Sequence, residues 1–307
     1  MSHSIQILLA RDTVALASRL SLDTAGARIE VQCLLQKVLH VQRVYLFAHP
    51  EYILNKDEAM EYEQILQRRL IGEPVAYILG EREFFGLTLK VTPATLIPRP
   101  DTELLVEQVL LHLALTPASC EFGGVRVPAV GGDGLNVLDL GTGSGAIALA
   151  IAYARPLAQI VACDASAEAL EVAKENAQSL GLGNVNFLAS NWFDQLGGAQ
   201  FDMIVSNPPY IAEHDPHLSQ GDVRFEPVTA LTAGADGLDD IRHIILQAGQ
   251  HLLAGGWLLL EHGYDQADKV RKLLVQQSFT EVSTCCDLAG NDRISMGRNC
   301  AAKQVSA

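Results

Sequence analysis

The stretch Asp139-Leu140-Gly141-Thr142-Gly143-Ser144-Gly145-Ala146 decides the fold class, because it joins a buried strand to a helix through alternating glycines. The apolar run 136–140 predicts the strand, and the Ala- and Ile-rich run 146–154 predicts the helix. Glycine allows positive φ values and close approach of the backbone to a ligand. Open α/β sheets bind ligands at the carboxyl ends of their strands. The stretch therefore predicts a ligand-binding loop or, alternatively, a tight turn without a ligand.

Strand and helix patterns alternate from residue 135 onward. Such alternation predicts a mostly parallel sheet with helices on both faces. The last two strands follow each other directly and predict an antiparallel hairpin. The expected strands are 136–140, 160–164, 184–188, 201–206, 257–261, 281–286 and 293–297, and the expected helices are 146–154, 167–180, 239–253 and 266–277. The expected fold class is therefore α/β, with a Rossmann-like sheet.

The region before this sheet has a different pattern. Apolar spacing predicts helices over 13–20, 25–39 and 57–69, and Gly72-Glu73-Pro74 ends the last of them. Two strand-like runs, 76–85 and 87–91, are split at Gly86 and predict a β-hairpin. A proline-punctuated loop over 92–100 follows, then a helix capped by Asp101 or Thr102 and an exposed Gly- and Pro-rich loop over 116–134. We expect a small helical domain over 1–75, a β-hairpin and linker over 76–100, and the α/β domain over 101–307.

Composition narrows the class of protein. Of the 307 residues, 49% are hydrophobic and 19% are charged, which is ordinary for a globular protein. The six cysteines form no C-x-x-C pair or zinc spacing, so we expect reduced thiols and no metal. No secretory signal or apolar run of ~20 residues is present, which predicts a cytoplasmic protein without membrane contact. The net charge of −14 argues against a surface that binds nucleic acid.

An acid at the end of the second predicted strand narrows the choice of ligand class. Dinucleotide sites favour G-x-G-x-x-G, whereas the glycines here fall at every second position. The carboxylate of Asp164 can accept both ribose hydroxyls of an adenosine, although Asp is also common as a helix N-cap. An adenosine group without a pyrophosphate fits S-adenosyl-L-methionine. The residues expected to bind it are Gly141, Thr142, Gly143, Ser144, Gly145 and Asp164.

A second motif, Asn207-Pro208-Pro209-Tyr210, follows the strand over 201–206. The Asn207 side-chain carbonyl can accept one N–H of a planar NH₂ group, and the Pro208 carbonyl, kept out of the sheet ladder by proline geometry, can accept the other. The Tyr210 ring can stack on a flat acceptor. The alternative is a proline-rich turn that only ends a strand.

Such a grip suits the methylation of an amide or amine nitrogen. The lone pair of an amide nitrogen is delocalised, so the nitrogen is a poor nucleophile. Two acceptors on its hydrogens would align it and stabilise the positive charge that develops there. We therefore expect Asn207, Pro208 and Tyr210 to be catalytic, and Asn207, Pro208, Pro209 and Tyr210 to bind the substrate.

Nearly the whole chain resembles the HemK/PrmC family, the N5-glutamine methyltransferases of peptide chain release factors. The segments that carry the resemblance are Gly72-Glu73-Pro74 through Gly80, Phe84-Phe85-Gly86, the 97–103 segment I-P-R-P-D-T-E, the glycine loop, the 206–210 segment S-N-P-P-Y, and Phe225-Glu226-Pro227. N-P-P-Y occurs in several amino-methyltransferase families. Together with I-P-R-P-D-T-E it is much more specific.

The resemblance implies a helical N-terminal domain that helps to bind the release factor and a seven-stranded methyltransferase domain. It implies that Gly141–Gly145, Asp164, Trp192 and Asn207 bind S-adenosyl-L-methionine. It also implies that Asn207–Tyr210 bind the glutamine of the release factor's Gly-Gly-Gln loop. Trp192 could pack on the adenine or belong to the core. We expect a class I release factor as the protein partner, no direct nucleic acid contact, and a monomer.

Several alternatives stay open at this stage. Arg99 and Glu103 could close over the cofactor or form an interdomain ion pair, and Phe225-Glu226-Pro227 could line the acceptor path or shape a loop. His262 is better explained by a structural hydrogen bond than as a general base. The rival functions are glutamine methylation of a ribosomal protein, DNA adenine methylation after base flipping, and a binding module without turnover.

Overall fold

A computed structural model of the protein describes residues 4–115, 118–122, 125–129 and 134–300. Residues up to Glu81 form one unit together with Pro216–Phe225. Arg82–Asp215 and the residues from Glu226 onward form the other. Pro216–Phe225 thus lies between two segments of the second unit in the sequence but packs with the first unit. No sequence pattern had predicted this.

The first unit is helical and has its own core. Its helices are α1 (Ile5–Leu20), α2 (Thr24–Leu39), α3 (Arg43–Ala48), α4 (Lys56–Leu70) and α5 (Val75–Leu79). The three predicted helices are confirmed as parts of α1, α2 and α4. The strand predicted from residue 76 is wrong up to Leu79: Pro74 and the left-handed Gly80 bound a helical turn there. The short apolar run had no periodicity that separates a strand from a turn of helix.

Arg69 is the polar centre of this helical unit. It is 3% exposed, and its guanidinium pairs with Glu30 of α2 at 2.7 Å and with Asp222 at 2.9 Å. Next to it, Arg224 donates to the Ile71 carbonyl at 2.9 Å. A Cβ on Gly72, which has a φ of +100°, would lie 1.8 Å from the Arg224 side chain. Gly72 therefore does more than end α4, because its missing side chain leaves room for an arginine of the 216–225 segment.

The second unit is built on a sheet of seven strands. A small antiparallel hairpin, β1 (Glu81–Phe84) and β2 (Leu87–Lys90), precedes it and turns at Phe85 and Gly86, both with positive φ. The helix α6 (Pro100–Leu115) begins at Pro100, so the predicted caps Asp101 and Thr102 lie inside its first turn. Proline is favoured there because its missing N–H would be unpaired in any case.

Residues 116–134 were predicted to be an exposed loop. The structure instead pairs β3 (Ala118–Phe122) with β4 (Val125–Ala129) in an antiparallel hairpin. Alternating residues such as Val125 and Val127 carried a weak strand pattern that the surrounding glycines and prolines obscured. The other residues of the predicted loop, apart from Gly134, lie outside the described residues.

The main sheet has the order β10-β11-β9-β8-β5-β6-β7. The strands β5 to β9 are parallel, whereas β11 runs antiparallel to β9 and to β10, which confirms the predicted terminal hairpin. The strand bounds are β5 (Asn136–Leu140), β6 (Gln159–Asp164), β7 (Val185–Ala189), β8 (Phe201–Ser206), β9 (Leu252–Glu261), β10 (Phe279–Cys286) and β11 (Asp292–Asn299).

Helices cover both faces of the sheet, as predicted. They are α7 (Ala146–Ala154), α8 (Ala167–Leu180), α9 (Asp239–His251) and α10 (Ala267–Gln276). Successive residues of β5 serve opposite cores: Val137 packs with α6 and α7, whereas Leu138 packs with α9 and α10. This alternation is typical of a strand with both faces covered, and β5 lies inside the sheet between β8 and β6.

Candidate active site

The candidate site lies where the strand order of the sheet reverses. The strand β5 has β6 on one side and β8 on the other, so the loops after these strands diverge and leave a crevice. In the loop after β5, Gly141, Gly143 and Gly145 have φ values of +71°, +56° and +85°. A residue with a Cβ would be strained at each of them. The predicted glycine turn therefore has a left-handed backbone conformation at every second residue.

A buried acid holds this loop in place. Asp139 accepts hydrogen bonds from the Thr142 hydroxyl at 2.6 Å and from the Ala148 N–H at 3.2 Å. Burial raises the pKa of Asp139 to about 7. Its Oδ1 has no hydrogen-bond partner among the described residues. Thr142, expected to contact the cofactor, thus uses its side chain to bind the strand below.

Asp164 is the second acid of the site. Its Oδ2 accepts from the Gly143 N–H and its Oδ1 from the Ser166 N–H, both at 2.8 Å. The N-cap of α8 is Ser166, whose hydroxyl accepts from Ala169, so the N-cap alternative for Asp164 is wrong. Burial raises the pKa of Asp164, and the backbone hydrogen bonds oppose that rise. Each carboxylate oxygen has a further lone pair for a ligand.

A cavity of about 470 Å³ lies beside these groups, within the usual size range of small-molecule sites. Among its lining residues are the predicted Gly141, Gly143, Asp164, Trp192, Asn207 and Pro209. Thr142, Ser144, Gly145, Pro208 and Tyr210 are not in its lining. Gly145 has a packing reason instead, because a Cβ there would lie 2.9 Å from Leu149 and 3.2 Å from Ala173.

Trp192 forms one wall of the cavity. It has a positive φ of +49°, and its ring faces Gly141, where an added Cβ would lie 3.4 Å away. Trp192 also makes a side-chain hydrogen bond to Asp240, and burial raises the pKa of that carboxyl. Asp240 lines the cavity too. Sequence reasoning missed Asp240, because an acid in the first turn of a helix is ordinarily explained by the helix dipole.

Asn207 and Pro208 present two unpaired oxygens at the end of β8. Asn207 donates from Nδ2 to the Thr102 hydroxyl at 3.2 Å. Within the part of the chain that the structure describes, no donor reaches Asn207 Oδ1 or the Pro208 carbonyl. The prediction that proline geometry keeps this carbonyl out of the sheet ladder is consistent with this arrangement.

Tyr210 is held at both of its polar ends. Its carbonyl accepts from Gln266 Nε2 at 2.9 Å, and a Cβ on Gly237 would lie 2.2 Å from that carbonyl oxygen. Its hydroxyl donates to Glu261 Oε1 at 3.3 Å. Burial raises the pKa of Tyr210 well above its usual value. The hydroxyl therefore stays protonated and fixes the ring to the sheet.

The residues whose roles the sequence left open are Arg99, Glu103 and the Phe225-Glu226-Pro227 segment. Arg99 pairs with Glu226, a buried carboxylate that also accepts from the Ile97 N–H at 3.0 Å. Arg99 is thus in an ion pair, although within one unit and not between two as the sequence had suggested. Glu103 accepts from the Phe85 N–H at 3.0 Å and so ties α6 to the hairpin. Pro227 reaches the cavity wall.

His262 has structural partners. Its Nε2 lies 2.8 Å from the Ser295 hydroxyl and its Nδ1 lies 2.8 Å from the Gly263 carbonyl. Burial lowers the pKa of His262 and so favours the neutral ring. Across residues 4–300, in the parts that the structure describes, no group of His, Cys, Asp and Glu side chains is arranged to hold a metal ion. No described helix is long and apolar enough to span a membrane.

The cavity fits an adenosine-bearing group on the chemistry of its donors and acceptors. The open lone pairs of Asp164 suit vicinal hydroxyls, the left-handed glycines let the backbone come close, and the Trp192 indole offers a flat apolar wall. Asn207 lines the same cavity as these groups. The arrangement places the acceptor motif beside the space that such a group would fill.

Comparisons with known proteins agree with this geometry. Residues 129–223 match the family described as methyltransferase small domain, and residues 15–80 match the PrmC N-terminal domain. A structure described as a methyltransferase from Pyrococcus furiosus shares the fold, with a TM-score of 0.51 and 16% identity over 78% of this chain and 100% of that chain.

Curated relatives cover nearly the full length. The release factor glutamine methyltransferase of Pseudomonas aeruginosa is 50% identical over 276 residues, which is 90% of this chain and 94% of that protein. The protein of the same name from Escherichia coli is 46% identical over 271 residues, 88% of this chain and 92% of that one. The chain therefore belongs to the release factor glutamine methyltransferase family and is an enzyme that uses S-adenosyl-L-methionine.

Proposed function

We propose that this methyltransferase transfers a methyl group to the side-chain amide nitrogen, N5, of the glutamine in the Gly-Gly-Gln motif of class I peptide chain release factors. The names of its relatives supply the substrate. Methylation at that loop would modulate translation termination.

The single observation that carries the proposal is the pair of unpaired oxygens at the end of β8. Asn207 Oδ1 and the Pro208 carbonyl accept no hydrogen bond from the described residues, while Asn207 itself lines the cavity. A primary amide has two N–H groups in one plane, and two acceptors at adjacent chain positions match that need. A hydroxyl would leave one of these acceptors unpaired, and a tertiary nitrogen, which has no hydrogen, would leave both unpaired.

The residues then divide the work as follows. S-adenosyl-L-methionine, when bound, supplies a methyl group already activated by its positively charged sulfur. Asp164 and the glycine backbone would hold its adenosine part, and the Trp192 indole would offer a flat face to the adenine. Asn207 and Pro208 align the substrate nitrogen and stabilise the positive charge that it gains during attack. Pro209 and Tyr210 shape the loop and offer a flat surface to the substrate amide.

The same proposal assigns the other parts of the chain. Residues 1–75 would help to dock the release factor, 76–100 would link the domains, and 101–307 would form the methyltransferase domain. We propose a cytoplasmic monomer that contacts the protein substrate and not nucleic acid. The net charge of −14 supports the last point, because a duplex-binding face requires local positive charge.

Radiolabelled methyl transfer tests the substrate directly. The purified protein is incubated with labelled cofactor and, separately, with a release factor, ribosomal proteins and duplex DNA. We expect label on the release factor alone. Mass spectrometry should locate a mass increase of about 14 units, from the replacement of a hydrogen by a methyl group, on the glutamine of the Gly-Gly-Gln peptide. A release factor with Gly-Gly-Ala in this loop is the matched control. Label on the ribosomal proteins or on adenine would support the rival functions, and no label anywhere would support a binding module.

A further inference from the structure

One fully buried carboxylate next to the cavity has no part in the function proposed above. The side chain of Glu226 is 0% exposed, and glutamate is almost never buried to this extent unless it is paired. Its Oε2 accepts from the Ile97 N–H at 3.0 Å, and its Oε1 pairs with the Arg99 guanidinium. The carboxylate therefore joins two segments that are 127 to 129 residues apart in the sequence.

Both of these segments form walls of the cavity. The first wall consists of residues 93–96, which end directly before Ile97. The second wall begins directly after Glu226 and contributes Pro227, Thr229 and Ala230. A displacement of the carboxylate is therefore passed to the lining of the cavity through a single peptide unit on each side.

Backbone hydrogen bonds hold each wall in its own shape. A turn closes the first wall, where the Thr95 N–H donates to the Thr92 carbonyl at 2.9 Å. The second wall is fixed at its far end to the residue that follows the N-P-P-Y motif, since the Ile211 N–H donates to the Leu231 carbonyl at 2.9 Å. These bonds lie within each wall or lead away from it, whereas the Glu226 carboxylate holds one wall against the other.

We propose that Glu226 is a positioning residue, which holds the two walls of the cavity together and so slows the release of the cofactor. The inference rests on the proposed function only where that function assigns the cavity to S-adenosyl-L-methionine, and it does not depend on the methyl acceptor. Because the carboxylate is shielded from water, its hydrogen bonds to Ile97 and Arg99 are stronger than they would be on the surface. Walls that stay together keep the cofactor enclosed, and walls that separate more often release it sooner.

The fluorescence of Trp192 reports cofactor binding without any methyl acceptor. Of the two tryptophans in the chain, Trp192 lines the cavity and Trp257 does not. The protein is mixed in a stopped-flow instrument with increasing concentrations of the product cofactor, S-adenosyl-homocysteine. The slope of the observed rate against concentration gives kon, and the intercept gives koff. Unfolded protein lowers only the amplitude, so both rates describe the folded protein.

Glu226→Gln keeps the size of the side chain and removes its charge. We expect koff to rise by about 10-fold or more, because this variant breaks a buried ion pair, and kon to stay within about threefold of wild type. Asp202→Asn is the matched control, since Asp202 is a buried acid that accepts from the Asn136 N–H at 2.9 Å, near the end of β8 opposite to the cavity. Its koff should equal that of wild type. An unchanged koff in Glu226→Gln, or an equal rise in the control, would overturn the assignment.

Variants of Arg99 test the ion pair, and they decide the question if Glu226→Gln does not fold. The Arg99 side chain is 34% exposed, so its replacement disturbs the core less. Arg99→Leu should raise koff by about fivefold or more, and Arg99→Lys, which keeps a positive charge for the carboxylate, should hold koff within about threefold of wild type. Added to Glu226→Gln, Arg99→Leu should change koff by no more than about twofold, because its partner is already neutral. Equal increases in the two Arg99 variants, or additive effects in the double variant, would contradict the pair.

The outcome also separates this inference from the proposed function. If the release factor is not methylated by wild type but koff rises in Glu226→Gln, the proposed methyl acceptor is wrong and the positioning role stands. If the release factor is methylated and koff does not change, the proposed function stands and the positioning role fails.

Discussion

The two loops that meet at the cavity are built in different ways. The loop after β5 gets its shape from its own backbone: three left-handed glycines within five residues, with Asp139 and Asp164 bonded to its N–H and hydroxyl groups. The 207–210 segment after β8 has no glycine and is held by side chains far away in the sequence. Thr102 is 105 residues from Asn207, and Glu261 is 51 residues from Tyr210. A loop that encloses a bound group can be specified locally, whereas a loop that must orient single atoms needs partners from several elements.

Replacing the acceptor itself should have the largest effect. Asn207→Ala removes the oxygen that accepts a substrate N–H, and loss of one such preorganised polar group costs about 10²–10³ in kcat. We expect kcat for methyl transfer to the release factor to fall by that factor, while calorimetry with the product cofactor still shows binding. Asn291→Ala, at an exposed asparagine of the β10–β11 turn, is the control. Turnover that is unchanged in Asn207→Ala would contradict the role given to this side chain.

Replacing Asp164, which we expect to bind the cofactor, should have a smaller effect, and the effect should be on cofactor affinity. Asp164→Ala leaves the ribose hydroxyls without their acceptor, which costs ~1–3 kcal/mol. We expect the Kd of the product cofactor to rise accordingly in isothermal titration. Asp194→Ala removes an exposed acid of the same charge and should leave the Kd unchanged. Equal affinity in wild type and Asp164→Ala would show that the carboxylate serves only the Gly143 and Ser166 amides.

The backbone character of the cofactor loop can be tested by stability. At Gly145, with a φ of +85°, any Cβ also meets Leu149 and Ala173. The left-handed conformation alone costs roughly 1–2 kcal/mol with a Cβ, so we expect Gly145→Ala to lower the free energy of unfolding in urea by about that amount. Gly249 lies in α9 with nothing within 4 Å of an added Cβ, and Gly249→Ala should be neutral or stabilising. Similar behaviour of the two variants would contradict a strained loop.

The same contrast explains what the sequence could predict. The glycine loop, Asp164 and the succession of strands and helices along the chain follow from short-range patterns, and the structure confirms the seven-stranded sheet and its helices. Asn207 could be named from its motif. Its contact with Thr102 could not, because no local pattern joins residues 105 positions apart. Asp240 and the 216–225 segment were missed for the same reason: their partners, Trp192 and Arg69, are fixed only once the chain has folded.

Each loop also contacts a buried acid: Asp139 for the loop after β5 and Glu261 for the loop after β8. The titration of Asp139 should affect how the free energy of unfolding depends on pH. The pKa of Asp139 is about 7 in the folded protein and near the ordinary value of about 3.9 in the unfolded chain. Between these values the folded state holds a proton that the unfolded state has lost. The free energy of unfolding therefore falls as pH rises through this window, and it levels off above pH 7.

Asp139→Asn removes this titration and should reduce the fall in unfolding free energy between pH 5 and pH 8, as measured in urea. It should not abolish the fall, because Glu261 titrates in the same direction with a folded pKa of about 7. The double variant with Glu261→Gln should be flatter still, and Asp194→Asn should follow wild type. If Asp139→Asn keeps the full wild-type slope, the acid below the glycine loop is ionised at neutral pH. Its unpaired Oδ1 would then require a donor, and the two loops would differ in the charge of their supports as well as in their construction.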